Sequence, residues 1–291
     1  MTSVLLAIAA SLSWGVSDFL GGTATGSLPV TRVLVFSQAA GLLLITAFVL
    51  AHGDALPHGR HLLEALAAGV AAILALGLLY VALARGAAII VAPLAATGAA
   101  IPVVVGFVHG DPVRAVNVAG IALAFAGVIA TSIEPGDRGG EGGTLIILLA
   151  LGAGAATGLY FTLIGLASTA GAPGTIEAVR ISATITALAA LTWATVRSRR
   201  VPSAASPPAP AARLLWAAVL AVGVTDALAE ISYAGASAAG HLSVVSVLAG
   251  SYPAVTVLLA VAVLRQRAHP VQTVGAAGTI AGILLLAAGS G

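Results

Sequence analysis

Asp226, Glu230 and Tyr233 fall at i, i+4 and i+7 within one long apolar run, so a helix there would place two carboxyls and a phenol on a single face. A charge at the centre of a bilayer costs about 2.5 to 3.5 kcal/mol on insertion scales, so such a face needs a partner, water or a purpose. It is expected to line a cavity. Asp226 has no cation nearby in sequence, and a mid-membrane carboxyl of that kind suits cation binding or proton coupling. Glu230 lies at a depth that Arg180 or its neighbour Glu177 could reach from the preceding run. That pair could bind substrate, or could only fix helix packing. Near the amino terminus, Ser11, Trp14 and Asp18 form a polar and aromatic stripe suited to an amphipathic ligand, with Ser17 beside it. Asp18 and Arg32 are close across a short loop and are expected to form an interfacial ion pair. Tyr80, Thr97, Tyr160 and Tyr252 are further in-span candidates, of a kind that more often packs than touches a ligand.

Other chemistries lack their residues. The chain has no Cys, which removes thiol nucleophiles and thiolate metal sites. Its six His, at 52, 58, 61, 109, 241 and 269, all fall at loops or the ends of apolar runs. No H-E-x-x-H pair, phosphate-binding loop or G-x-S-x-G elbow occurs, so no catalytic residue, metal or cofactor is expected. A membrane-embedded acid/base enzyme using Asp226 and Glu230 is the rival reading from another class. Nucleic-acid binding gets no support, because the basic residues number 12 against 10 acidic ones, for a net charge of only +2.

The elements that must carry these residues follow from composition. Of 291 residues 59% are hydrophobic and 8% charged, and mean hydropathy is +1.10, against roughly 25% charged in a soluble domain. Too few charges exist to cover a water-facing shell, so the chain is expected to lie in lipid. A helix needs about 20 apolar residues to cross the hydrocarbon core. The chain divides at polar or Pro/Gly-rich breaks into ten such runs: 4–20, 33–51, 62–83, 87–109, 116–133, 144–167, 175–196, 214–236, 242–264 and 271–288. Uninterrupted Ala, Leu, Val and Gly runs satisfy their backbone hydrogen bonds internally only as helices, so the fold class is an all-α polytopic membrane protein. The first run lacks a positive leader and is broken by Trp14, Ser17 and Asp18, so it is expected to stay as a span and not be cleaved.

The ten runs split into two fives. Residues 120–127 (GIALAFAG) match 275–282 (GAAGTIAG), and the acidic, Gly-rich stretch near 134–143 falls between the halves. Residues 1–135 and 144–291 then form two five-helix repeats joined by a linker at 136–143. With an odd number of spans in each half, the second copy enters the membrane from the opposite side, which makes the repeats inverted. Clustered Gly152, Gly154 and Gly158, and Gly278 with Gly282, read as close helix contacts and not as phosphate loops.

The sequence resembles the EamA-type transporters of the drug/metabolite transporter superfamily over nearly its whole length. Ser13-Trp14-Gly15 looks like that family's early WG motif, and Tyr252-Pro253, followed by residues 264–267 (LRQR) and Gly275, looks like the end of its repeat. The family's acidic residue is Asp111 in the first copy but Gln266 in the second, and the Pro equivalent to Pro253 is Gly98. The resemblance implies a secondary transporter of the cell's inner (plasma) membrane that exports small metabolites, amino acids foremost, by alternating access. Its partners would be a small amphipathic or zwitterionic substrate, protons as a candidate coupling ion, and the bilayer. A monomer or weak dimer is expected. Orientation is contested: the Arg distribution puts the termini outside the cytoplasm, whereas the resemblance puts them inside.

Overall fold

A computed structural model describes residues 1–83, 85, 91, 94–95, 97–111, 114–131, 143–197 and 209–264, with isolated positions between 270 and 285. The expected linker (136–143, save its last residue), the start of the fourth expected span, Gln266 and most of the tenth lie outside these residues. The described elements are all helical: α1 (Thr2–Thr25), α2 (Val30–His52), α3 (Gly59–Leu83), a 3-10 turn at Thr97–Ala99, α4 (Ala100–Val108), α5 (Ala115–Thr131), α6 (Gly143–Ala167), a 3-10 turn at Ser168–Ala170, α7 (Ala172–Arg197), α8 (Ala209–Ala239), α9 (Leu242–Gly250) and α10 (Tyr252–Leu264). Seven candidate spans among them are long and apolar enough to cross a membrane, with α9 and α10 counted as one. The 24 residues of α1 rise about 36 Å, enough for a hydrocarbon core of about 30 Å. Ten spans were expected; seven, and the shorter apolar helix α5, are seen among the described residues.

The breaks have local causes. Between α1 and α2 the chain turns through Pro29, the N-cap of α2, and α2 ends on Gly53 at φ +73°, a left-handed cap whose N–H donates to the Val49 carbonyl. Between α9 and α10 the cause is Pro253, which has no N–H to continue the ladder and crowds the carbonyl four residues back. The chain turns at Ser251, in the middle of the expected ninth span. The first half is irregular at the equivalent place, the turn at Thr97–Ala99.

Packing runs mainly between the halves. Helix α1 lies along α8 and α6 along α3, while α2 packs on α7 and α8, and α4 on α9. These pairings are reciprocal: exchanging the halves turns the first into the second. The Gly clusters make the approaches possible. A Cβ on Gly154 or Gly158 would run into the backbone at Ala95 or Gly98, and one on Gly282 into Ala124 of α5. At one end of the bundle Gly174 lies against Ala55, Gly240 against Ser3 and Asp111 against His241. At the other end Phe36 meets Trp216, ring centroids 4.7 Å apart. Large apolar side chains such as Leu43, Leu63, Leu74, Ile185, Leu188 and Leu228 stay exposed on the perimeter. Water would make that surface an aggregation liability, whereas lipid solvates it.

Candidate functional site

Helix α7 enters the bundle with Arg180 on its inner face, and no part of that side chain reaches the surface. An unpaired guanidinium there would be costly to desolvate, and three groups converge on it. Its Nε meets Glu230 Oε2 at 2.5 Å, one terminal nitrogen meets Asp226 Oδ2 at 3.1 Å, and the other donates to Gln38 Oε1 at 2.9 Å. The remaining carboxylate oxygens are taken as well. Trp14 Nε1 donates to Asp226 Oδ1 at 3.0 Å, and the Tyr160 hydroxyl donates to Glu230 Oε1 at 2.5 Å. Gln38 closes the ring by donating to Asp226 Oδ2 at 3.3 Å. Five helices (α1, α2, α6, α7 and α8) are thereby tied through one cation. Room for it comes from Gly41 on α2, where a Cβ would touch the guanidinium and the Gly223 backbone.

Beside this network is a partly open cavity. Its wall takes Trp14 and Asp18 from α1, Ala72, Ala75, Leu76 and Leu79 from α3, Thr157, Tyr160 and Phe161 from α6, Asp226 and Glu230 from α8, and Tyr252 from α10. Trp14 is the hub of the aromatic side. It stacks on Phe161 at 4.9 Å and meets Tyr160 and Tyr252 edge-on at 6.2 and 6.3 Å.

The residues singled out from sequence divide into those at the cavity and those behind it. Trp14, Asp18, Tyr160, Asp226, Glu230 and Tyr252 line it, and Arg180 lies directly beneath. Tyr233 is fully buried behind Trp14 and Phe161, and its hydroxyl engages the Phe161 carbonyl and Ser246. Ser17 donates to the Val222 carbonyl, and Thr97 to the Leu94 carbonyl in its own turn. Tyr80 is buried against Gly21 with no hydrogen-bond partner among the described residues.

Two expected pairings differ. Asp226 is not without a cation, because Arg180, remote in sequence, reaches both it and Glu230. Asp18 and Arg32 do not pair. Helix α1 turns Asp18 inward, where it is 7% exposed, while Arg32 stays on the exposed end of α2. Asp18 makes neither a hydrogen bond nor an ion pair with any described residue. Glu177 does not join the Arg180 cluster; it accepts from Thr46 at 2.7 Å.

Gln38 and Phe161 escaped the sequence reading. Gln38 had one available signal, an amide in an otherwise apolar run. Phe161 had none, since an apolar residue beside Tyr160 looks like any lipid-facing side chain. No cluster of His, Cys, Asp and Glu fit to hold a metal occurs among the described residues.

A solved structure titled "Crystal structure of protein" is similar in fold: it superposes with a TM-score of 0.77 at 18% identity, over 99% of this chain and 97% of its own. No curated protein matches the chain in sequence. The EamA-like transporter family matches it twice, over residues 1–133 and 144–288. With nearly every residue inside one or the other match, the chain belongs to the EamA-like transporter family, as a membrane protein built of two copies of that family's repeat.

Proposed function

We propose that the protein is a secondary transporter that exports small amphipathic metabolites carrying an ammonium group, the class that includes amino acids, across the cell's inner membrane by alternating access. The observation that carries this reading is the cavity itself, walled by aromatic rings and carboxylates drawn from both matched halves. A site shared between two repeats opens to one side or the other when the repeats rock against each other. Support for ten spans in two inverted repeats (1–135 and 144–291, linked by 136–143) comes from the reciprocal helix pairing and from the helix ends of both halves that meet at each face of the bundle. Protons are the proposed coupling ion, neither ATP nor metal is required, and the working unit is a monomer or weak dimer.

The enzyme reading finds no support in the geometry. Asp226 and Glu230 have every oxygen engaged by Arg180, Gln38, Trp14 or Tyr160, which leaves no free acid and base pair.

The test is uptake and counterflow of labelled phenylalanine and other amino acids in sealed proteoliposomes, wild type against Asp226→Asn. Asparagine keeps an oxygen for Trp14 and removes the charge. Uptake that needs the sealed compartment, runs without ATP and falls in a variant that still folds supports the reading. Turnover of a substrate in detergent with no transport in vesicles defeats it.

A further inference from the structure

Carboxyl groups outnumber cations at the cavity, and that imbalance says which end of a substrate is read. Three carboxyls line it, Asp18, Asp226 and Glu230. Among the described residues the one cation paired with any of them is Arg180, which meets Asp226 and Glu230 only, has no exposed surface, and has its third nitrogen engaged by Gln38. The remaining described Arg residues, among them Arg32, Arg60, Arg85 and Arg197, stand at the ends of spans. Asp18 is the carboxyl left over. It is more than nine-tenths buried, faces the cavity, and has no partner among the described residues.

We infer that Asp18 is the ammonium-recognition group of this cavity and that the preferred cargo is an amphipathic monocationic amine with no carboxylate, taken in preference to a zwitterionic amino acid. This rests on the transport reading above and narrows it. An ammonium beside Asp18 gains a charge-assisted partner in a site shielded from water. The faces of Trp14, Tyr160, Phe161 and Tyr252 suit both a cation and the apolar body behind it. The Ala72, Ala75, Leu76 and Leu79 wall takes the rest of that body. An α-carboxylate on the same molecule would meet three carboxyls and no free donor cation, a desolvation cost with nothing to offset it. An inorganic cation fits poorly too, because hard cations want several oxygen ligands and the other two carboxyls of the cavity are already held by Arg180.

The experiment is calorimetric titration of the purified full-length protein in detergent with phenethylamine, phenylalaninamide and phenylalanine. The first two are carboxylate-free cations and the third is their zwitterionic counterpart. Both amines are expected to bind at least roughly tenfold more tightly than phenylalanine, the scale of one charged hydrogen bond. Asp18→Asn is expected to weaken the amines by a similar factor and to leave phenylalanine nearly unchanged, while Asp18→Glu keeps the order of preference. The wild-type ratio needs no variant, so a poorly folding Asp18→Asn leaves the test intact. Phenylalanine binding as tightly as the amines, an unchanged ratio in a folded Asp18→Asn protein, or no binding by any of the three overturns the inference. Amines that bind with the stated preference but never cross sealed vesicles support the recognition and defeat the transport reading alone.

Discussion

Arg180 on α7 and Glu230 on α8 meet at 2.5 Å where neither side chain is open to solvent, and Arg180 spends its other nitrogens on Asp226 and Gln38. One guanidinium thus ties its own helix α7 to α8 of the same half and to α2 of the first half. Replacing one member of such a set strands the others, and that cost exceeds what the intact pair contributes.

Arg180→Met is therefore expected to destabilise the protein by about 3 to 5 kcal/mol, seen as a lower unfolding temperature in detergent and poorer recovery from the membrane. Replacing Glu230 and Asp226 by Gln and Asn in the same background should restore part of it, because the stranded carboxylates are gone. No recovery in the triple variant would mean that Arg180 acts mainly by filling space.

Tyr160→Phe removes the hydroxyl that donates to Glu230 and keeps the ring against Trp14. The expected loss is about 1 to 3 kcal/mol, the cost of leaving a buried acceptor short of a donor. Thermal unfolding reports it. An unchanged midpoint would place a water at that oxygen.

Gly41 is a space requirement. Its missing Cβ is where the Arg180 guanidinium and the Gly223 carbonyl come together, so Gly41→Ala must push the guanidinium aside or part α2 from α8. A loss of about 1 to 3 kcal/mol is expected. Alanine at Gly53, where nothing lies within contact distance but φ is +73°, should instead cost only the strain of a left-handed residue, about 1 kcal/mol. The comparison separates crowding from backbone strain.

Asp111 joins the halves at one end of the bundle. Its carboxylate accepts from the Ser243 backbone N–H at 2.8 Å, in the first turn of α9, and faces His241 Nδ1 at 3.3 Å. Asp111→Ala should cost about 0.5 to 2 kcal/mol as a lost cap, and His241→Phe less, since that pair is more exposed. Equal losses from both variants would contradict the capping account.

Topology has its own test, made simple by a chain without Cys. Single cysteines at Asp54 and Thr169 should react with an impermeant maleimide from one side of the membrane, and those at Ser27 and Arg197 from the other. That pattern follows if α1 and α7 start at the same face, as the contacts of Ser3 with Gly240 and of Ala55 with Gly174 require. Labelling of Asp54 and Thr169 from opposite sides would break the two-repeat arrangement.

The sequence by itself determined the solvent, the helices and the scarcity of charge inside them. An apolar run of about 20 residues has one way to satisfy its backbone in lipid, so the spans of α1, α2, α3, α6, α7 and α8 were legible from hydropathy. The shared face of Asp226 and Glu230 was legible from helical spacing. What faces what was decided only by the tertiary structure. Spans this uniformly apolar carry little periodic signal for which side meets a neighbour. The rotation of α1 that buries Asp18, turned away from the exposed Arg32 of α2, was set by its packing along α8. The joining of Gln38, Arg180 and Asp226 needed α2, α7 and α8 to converge where Gly41 and Gly223 let them approach. Close approach between distant helices depends on the shapes of both surfaces at once, and no local window of sequence contains both.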